Sequence, residues 1–310
     1  MVRTYTGPVA DSRRWASFEH RAGDIVISTP SKCGTTWTQM LVALLVFDGP
    51  EFPDQLGVMS PWLENDFTPI DEICQRLAVQ QHRRFIKTHT PLDGFDLDER
   101  VHYVMVGRDP RDVFLSMQQH GDNLDFDRLV PILMRNVGPE EMERRLAAEP
   151  QYETFEEAIE LPAGDCPTSV EPAHVLAHLR GGWERRNQPN VTLLHYADLK
   201  ADLPGELARL AAALGFDYPT QRIGELAAFA DFPNMRKHAE ELTPEAHHDA
   251  WKSKTDFFRT ARLGAWAEAF DRAVLLRYQE RVTELVPDEE FLAWAHRGHQ
   301  GGDWRIPGRS

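Results

Sequence analysis

Cysteine is scarce: Cys33, Cys74 and Cys166 are the only three in 310 residues. They are too few and too scattered for a disulfide framework or a metal cluster, so no metal and a reducing, cytoplasmic home are expected. No apolar run approaches the roughly 18–20 residues that a membrane-spanning helix requires. Met1 to Trp15 contain no apolar h-region, so no ordinary secretory signal is expected. Positive charge is also short, with 34 Lys and Arg against 49 Asp and Glu and a net charge of −15. Non-specific nucleic-acid binding requires many cationic contacts to phosphate, and this balance argues against it. Acidity by itself serves solubility. An anionic small ligand therefore demands positive residues concentrated at one place.

What is present is ordinary for a folded protein, with 42% hydrophobic and 27% charged residues. The chain carries no internal repeat. Strand-length apolar runs lie at Asp24 to Ser28, Arg84 to Thr88, Val101 to Val106 and Val191 to His195. Helical segments separate them: Trp37 to Phe47 is almost wholly apolar, Pro110 suits a first helical turn, and Leu203 to Leu214 ends at Gly215. Strands alternating with helices predict an α/β fold, a parallel sheet covered on both faces. Residues 118–172 lose the strand signals and gain Gly, Pro and acid, so they read as a long helical and loop insertion with short helical pieces. Insertions of that length are commonly lids, and a lid is expected here, the alternative being a static helical excursion packed through Leu129, Ile132, Leu133 and Met134. The predicted layout is one domain over 1–310, with a core of about 20–285, the insertion at about 118–172 and a flexible Gly-rich tail at about 297–310.

Three strand ends carry the chemistry. After Ser28 the chain reads Thr-Pro-Ser-Lys-Cys-Gly-Thr-Thr-Trp to Trp37 and a helix begins. Helix N-terminal amides, the helix dipole and Lys32 would cradle a phosphate, although the order is not that of a Walker A loop and an ordinary strand-to-helix turn reads the same way. Lys87 and His89 stand two residues apart at the end of the next strand, so they project to one side. With thirteen histidines in the chain, position and neighbour single out His89. Arg108 leaves a third strand end and is followed by Ser116, but Arg108 or Arg111 pairing with Asp109 or Asp112 would make a plain salt-bridged turn. Ligands of open α/β sheets bind at such carboxyl ends.

Together these segments resemble the cytosolic-type sulfotransferases that use 3′-phosphoadenosine-5′-phosphosulfate (PAPS). Lys32 to Trp37 is similar to that family's K-S-G-T-T-W, and Lys87 to Pro91 to K-T-H-L-P. Tyr103 to Ser116 resembles the 3′-phosphate segment, His195 to Lys200 the Y-E-D-L/M-K motif, and Phe257 to Trp266 the F-F-R-K-G-x-x-G-D-W motif. The five occur in family order. Ser60 to Leu63 and Gln81 to Gly94 further resemble actinobacterial sulfotransferases described as acting on glycolipids.

The resemblance implies a P-loop-like parallel sheet and a metal-free sulfuryl transfer. It implies that Lys32, Cys33, Gly34, Thr35 and Thr36 hold the 5′-phosphosulfate and that Trp37 frames the adenine. Arg108, Ser116 and Arg259 bind the 3′-phosphate, Tyr196 touches the nucleotide, Phe232 stacks on the adenine, and His89 is the base. Lys32, Lys87 and Ser116 complete the catalytic set, with PAP (3′-phosphoadenosine-5′-phosphate) as the product. In-line displacement asks the protein mainly for positioning and charge stabilisation, which suits these residue types.

Departures from the pattern are specific. Cys33 replaces the usual Ser, as a low-pKa thiol or a packed small residue. Thr260 and Ala261 stand where the family has Lys and Gly, and Arg262 is expected to substitute for the missing cation. Ala230 and Asp231 fall where hydroxyl residues usually meet the nucleotide. The family's dimer motif has no match after Trp266, so an oligomeric state does not carry over. Trp62, Phe67 and Phe126 suggest an apolar, aryl or glycolipid acceptor, with walls at Trp62 to Phe67, Met117 to Phe126 and Glu240 to Lys254; peripheral membrane contact is compatible with this. Two other readings are a PAPS- or lipid-binding protein that has lost catalysis, and an ATP-dependent small-molecule kinase. The kinase would require Walker A order and a Mg²⁺-holding Asp at a strand end, and the sequence shows neither.

Overall fold

A computed structural model describes residues 2–243, 251–258 and 262–306. Every residue of Ile25–Ser28 (β1), Phe85–Thr88 (β2), His102–Gly107 (β3) and Val191–His195 (β4) is buried. Strands without an exposed face must be covered on both sides, as in parallel sheets. These four pair in parallel in the order β2-β1-β3-β4. Side-chain alternation sorts the sheet's two faces. Ile25, Ile27, Phe85, Val104 and Val106 pack under Thr35–Phe47 (α1) and Leu203–Leu214. Val26, Ile86, Tyr103 and Met105 face Pro172–Trp183 and Glu289–Arg297.

The register brings the strand ends level. Ser28 lies opposite Thr88 and Met105, and Gly107 opposite His195. From β1 the chain goes to β2 on one side and later to β3 on the other. The crevice beyond Ser28 is therefore the switch point of the sheet, where α/β proteins bind ligands. Helix Pro110–Asn123 (α2) leaves β3 at this edge, with Asp109 capping the Arg111 amide and Pro110 in the first turn.

The insertion is more regular than its composition suggests. It holds Phe126–Val137 (α3), Pro139–Ala148 (α4) and the shorter helix Phe155–Glu160. Asp125 caps α3 through the Arg128 amide, and Gly138, at φ +90°, turns the chain into α4. The buried side of α3 is narrow, through Leu129 and Leu133, two of the residues a packed helical excursion would use. Both helices are tied down. Asn136 Nδ2 donates to the carbonyls of Asp66 (2.8 Å) and Phe67 (3.0 Å). Buried Arg145 reaches Asp66 at 2.7 Å and Asp11 at 3.2 Å. Strong hydrogen-exchange protection from Leu129 to Arg145 is therefore expected in the free protein, unlike an open lid. Arg145→Ala should remove much of it, because both carboxylates then lose a buried partner. Protection untouched by that substitution would show that apolar packing alone holds the segment.

The tail also departs from expectation. Trp304 is 1% exposed, its ring stacks on His296 at 4.4 Å, and Arg111 donates to its carbonyl at 3.4 Å. One aromatic anchors the Gly-rich segment at least to Ile306; residues 307–310 lie outside the described residues. Among the described residues, no helix is long and apolar enough to cross a membrane.

Candidate active site

The loop after β1 is shaped by two left-handed residues. Lys32 has φ +65°, uncommon for a residue with a side chain, and Gly34 has φ +107°. Gly34 precedes α1, and a Cβ there would press on the Tyr196 ring at 3.1 Å. Thr29 and Thr35 share a hydroxyl–hydroxyl bond of 2.5 Å across the turn. Ser31, Lys32, Gly34, Thr35, Thr36 and Trp37 all line one cavity of about 330 Å³.

The other two strand ends open into the same cavity. Lys87 and His89 line it from β2, and Arg108 and Ser116 from β3 and α2. His89 Nδ1 lies 2.8 Å from the Thr29 carbonyl. A carbonyl only accepts, so Nδ1 carries the hydrogen and Nε2 keeps its lone pair. Burial, then the neighbouring Lys87, hold this imidazole's pKa down to about 3, with Lys32 adding to the effect. His89 is therefore neutral and proton-free at Nε2 across the working range of pH.

Glu64 fixes the His89 backbone. Its Oε1 accepts from the Thr88 hydroxyl (2.8 Å), the His89 amide (2.6 Å) and the Thr90 amide (3.2 Å). Burial raises its pKa, and the His89 and Thr88 donors are among the groups that oppose the rise. Trp62 presents an edge to His89, with ring centres 5.1 Å apart, and Lys87 Nζ lies 4.7 Å from the Trp62 ring centre.

The salt-bridged turn exists, but it involves the other arginine. Arg111 binds Asp109 at 2.7 Å and lies over Trp266. Arg108 is thereby left for the cavity. Its Nη1 donates to the Lys32 carbonyl at 2.9 Å, and its guanidinium covers Tyr196 at 4.5 Å. Its Nε is buried with no hydrogen-bond partner among the described residues. An unmet buried guanidinium donor is what an incoming phosphate would satisfy.

Lys32, Lys87 and Arg108 thus converge, and none of the described residues lining the cavity is acidic. In a chain of net charge −15 this is the local concentration of positive charge that an anion requires. Desolvation, then repulsion from Arg108 and Lys87, bring the Lys32 pKa down to about 7. The rest of the wall is largely apolar, with Trp62, Phe67, Met117, Leu129, Leu133 and Trp251.

Most of the residues expected from the sequence meet here. Trp37 Nε1 donates to the Ala230 carbonyl at 2.8 Å, its ring meets Tyr196, and Phe232 lines the cavity beside Phe258. Asp231 does not approach the cations; it caps Phe232–Lys237 through the Asn234 amide at 2.7 Å. Cys33 turns into the core instead of the cavity, and burial pushes its thiol up to about 12, so the packed alternative holds. Arg262 is exposed, bound to Glu268 and absent from the cavity lining. Arg259, Thr260, Ala261 and residues 244–250 of one expected wall lie outside the described residues. Sequence reasoning passed over Glu64 and His120. Glu64 directly follows the Ser60-to-Leu63 stretch, and His120 stands one helical turn after Ser116; those were the signals available.

Comparison with known proteins identifies the family and the fold. The family described as "Sulfotransferase domain" matches residues 22–289. A glycolipid sulfotransferase of Mycobacterium bovis (strain BCG / Pasteur 1173P2) is 45% identical, covering 96% of this chain and 95% of its own. Sulfotransferase 1 family member D1 of Rattus norvegicus is 25% identical over 88% of this chain and 86% of its own. Among solved structures, retinol dehydratase in complex with androsterone and inactive cofactor PAP superposes with a TM-score of 0.63 at 20% identity, covering 90% of this chain and 87% of that one. A mouse sulfotransferase complexed with PAP gives 0.61 at 20% identity over 88% and 87%. The chain belongs to the sulfotransferase family.

Proposed function

We propose that this enzyme moves the sulfuryl group of PAPS to a hydroxyl of an amphipathic lipid, a glycolipid by preference. The convergence of Lys32, Lys87 and Arg108 on neutral His89, in a cavity whose described lining has no acid, carries the reading. The loop from Lys32 to Thr36 takes the 5′-phosphosulfate. Arg108, through its unmet Nε, and Ser116 take the 3′-phosphate, while Trp37, Tyr196 and Phe232 surround the base. Arg259 and Arg262 join them in this reading, Arg262 by exchanging Glu268 for phosphate, since an exposed ion pair is weak. His89 Nε2 accepts the acceptor's hydroxyl proton as its oxygen bonds to sulfur. The bond from sulfur to the phosphate oxygen breaks, and Lys32 and Lys87 offset the charge left on PAP. The free thiols of Cys33, Cys74 and Cys166 suit the cytoplasm.

The acceptor assignment rests on the apolar wall and on the glycolipid sulfotransferase at 45% identity. Phe126, Val130 and Met134 recur at helical spacing along α3 and are exposed. Phe126 and Val130 also line the cavity, so its apolar wall continues onto the surface. An acyl chain can follow that stripe, which also suits contact with the membrane holding the acceptor. Labelled-sulfate transfer from PAPS tests the reading. Phe126→Asp with Val130→Asp should raise KM for a long-chain glycolipid about tenfold or more. A short phenolic acceptor should keep its KM, and PAP affinity should not change. Equal losses for both acceptors would remove the stripe from the acceptor path, and no transfer to any lipid would favour an aryl acceptor.

A further inference from the structure

His120 has no part in the assignments above, yet its Nδ1 lies 2.8 Å from Lys32 Nζ. It stands on α2 four residues after Ser116, so both project from one face of that helix toward the donor loop. Its ring is set edge-on by Trp251 at 4.8 Å and Phe257 at 6.1 Å. Phe257 also underlies the Lys32 ammonium, 5.0 Å from its ring centre. Lys32 is thus enclosed on the acceptor side by an imidazole acceptor and an aromatic face. Trp251, His120 and Phe257 are themselves parts of the cavity wall.

We propose that His120 is the positioning residue for Lys32, accepting the ammonium through Nδ1 in the donor-free enzyme and yielding it when the phosphosulfate enters. This rests on the donor reading given above. The physical need is plain. Without an anion, Lys32 would sit as a desolvated cation facing Arg108 and Lys87, with His89 neutral beside it. Asp256, on the segment packed against α2, lines the small recess shared by Lys32 and His120, and it is exposed. Burial, then Lys32 and Lys87, hold the His120 pKa well below its usual value, so its ring is a neutral acceptor with the hydrogen on Nε2. A half-buried ammonium with one good acceptor keeps its place and holds its proton to a higher pH than it would without that acceptor.

The readout is the pH at which PAP binding weakens, because the lysine must be protonated to hold phosphate. His120→Phe keeps a ring between Trp251 and Phe257 but has no acceptor. It should move that midpoint down by about 0.5–1 pH unit, a threefold to tenfold loss of PAP affinity at pH 8. His120→Asn, whose Oδ1 takes the place of Nδ1, should restore most of it. In a Lys32→Met background the His120→Phe shift should vanish, since the effect passes through the lysine. In the unmodified enzyme, ¹⁵N spectra of His120 should show a bare Nδ1 whose shift changes when PAP binds. A midpoint unmoved in both His120 variants, a shift that persists without Lys32, or an Nδ1 signal indifferent to PAP would each overturn the proposal. Failure of the unmodified enzyme to bind PAP would overturn the donor reading and this inference with it, whereas PAP binding with an unmoved midpoint overturns this inference alone.

Discussion

His89→Ala should lower sulfuryl transfer about 100-fold or more while PAP affinity stays nearly unchanged, as follows from removing a general base that does not hold the nucleotide. The direction comes from one hydrogen bond. With Nδ1 donating to the Thr29 carbonyl, Nε2 is the only basic atom this ring can offer the acceptor. A pH profile adds a second check. An ordinary histidine base would lose activity below pH about 6.5. Burial and Lys87 hold His89 far lower in the empty site, so kcat/KM for PAPS, which reports the free enzyme, should show no acid limb near 6.5. The donor's negative charge offsets Lys87 and Lys32 and raises the imidazole pKa on binding, which makes the ring a better base in the loaded site than in the empty one. Near-normal turnover in His89→Ala, measured with labelled PAPS, would take the role of base away from this residue.

How much of this was readable before the fold was known depended on whether the information was local. Lys32 lies on the loop after one strand, Lys87 near the end of the next and Arg108 directly after a third, and a parallel sheet brings strand ends together whatever their separation in sequence. Their convergence was therefore legible. The fate of Arg108 against Arg111 was not, because local spacing lets either arginine take Asp109. The choice is made by Trp266, far along the chain, over which Arg111 lies. Glu64 was equally hidden. A buried carboxylate caps the end of β2 only because the Trp62 segment runs beside Lys87 there, where the two form an isolated bridge. Composition misled at the tail, where the glycines around Trp304 outweighed a single aromatic that fastens it, whereas in 118–172 Leu129 and Leu133 already marked the buried side of α3. Cys33 shows the opposite case: as a small residue replacing Ser it could face either way, and only burial in the core decided between them.

Lys32→Met should carry the other large effect, a fall of about 100- to 1,000-fold in kcat/KM for PAPS, the range seen when one preorganised donor to developing charge is removed. Unlike His89→Ala, it should also weaken PAP, because the same ammonium holds the product phosphate. The protonation state supplies the sharper test. In the empty site, desolvation and the cations Arg108 and Lys87 bring Lys32 to a pKa of about 7. Below that pH the lysine is already charged and binding is at full strength. Above it, binding must first return the proton, so PAP affinity should fall about tenfold per pH unit until the raised pKa of the complex is reached. Calorimetry at pH 8 in buffers of different ionisation enthalpy should accordingly show close to one proton taken up per PAP bound, and Lys32→Met should abolish that uptake. Uptake that survives in Lys32→Met would assign the proton to another group, and pH-independent PAP binding between 6 and 9 would mean that Lys32 stays charged throughout.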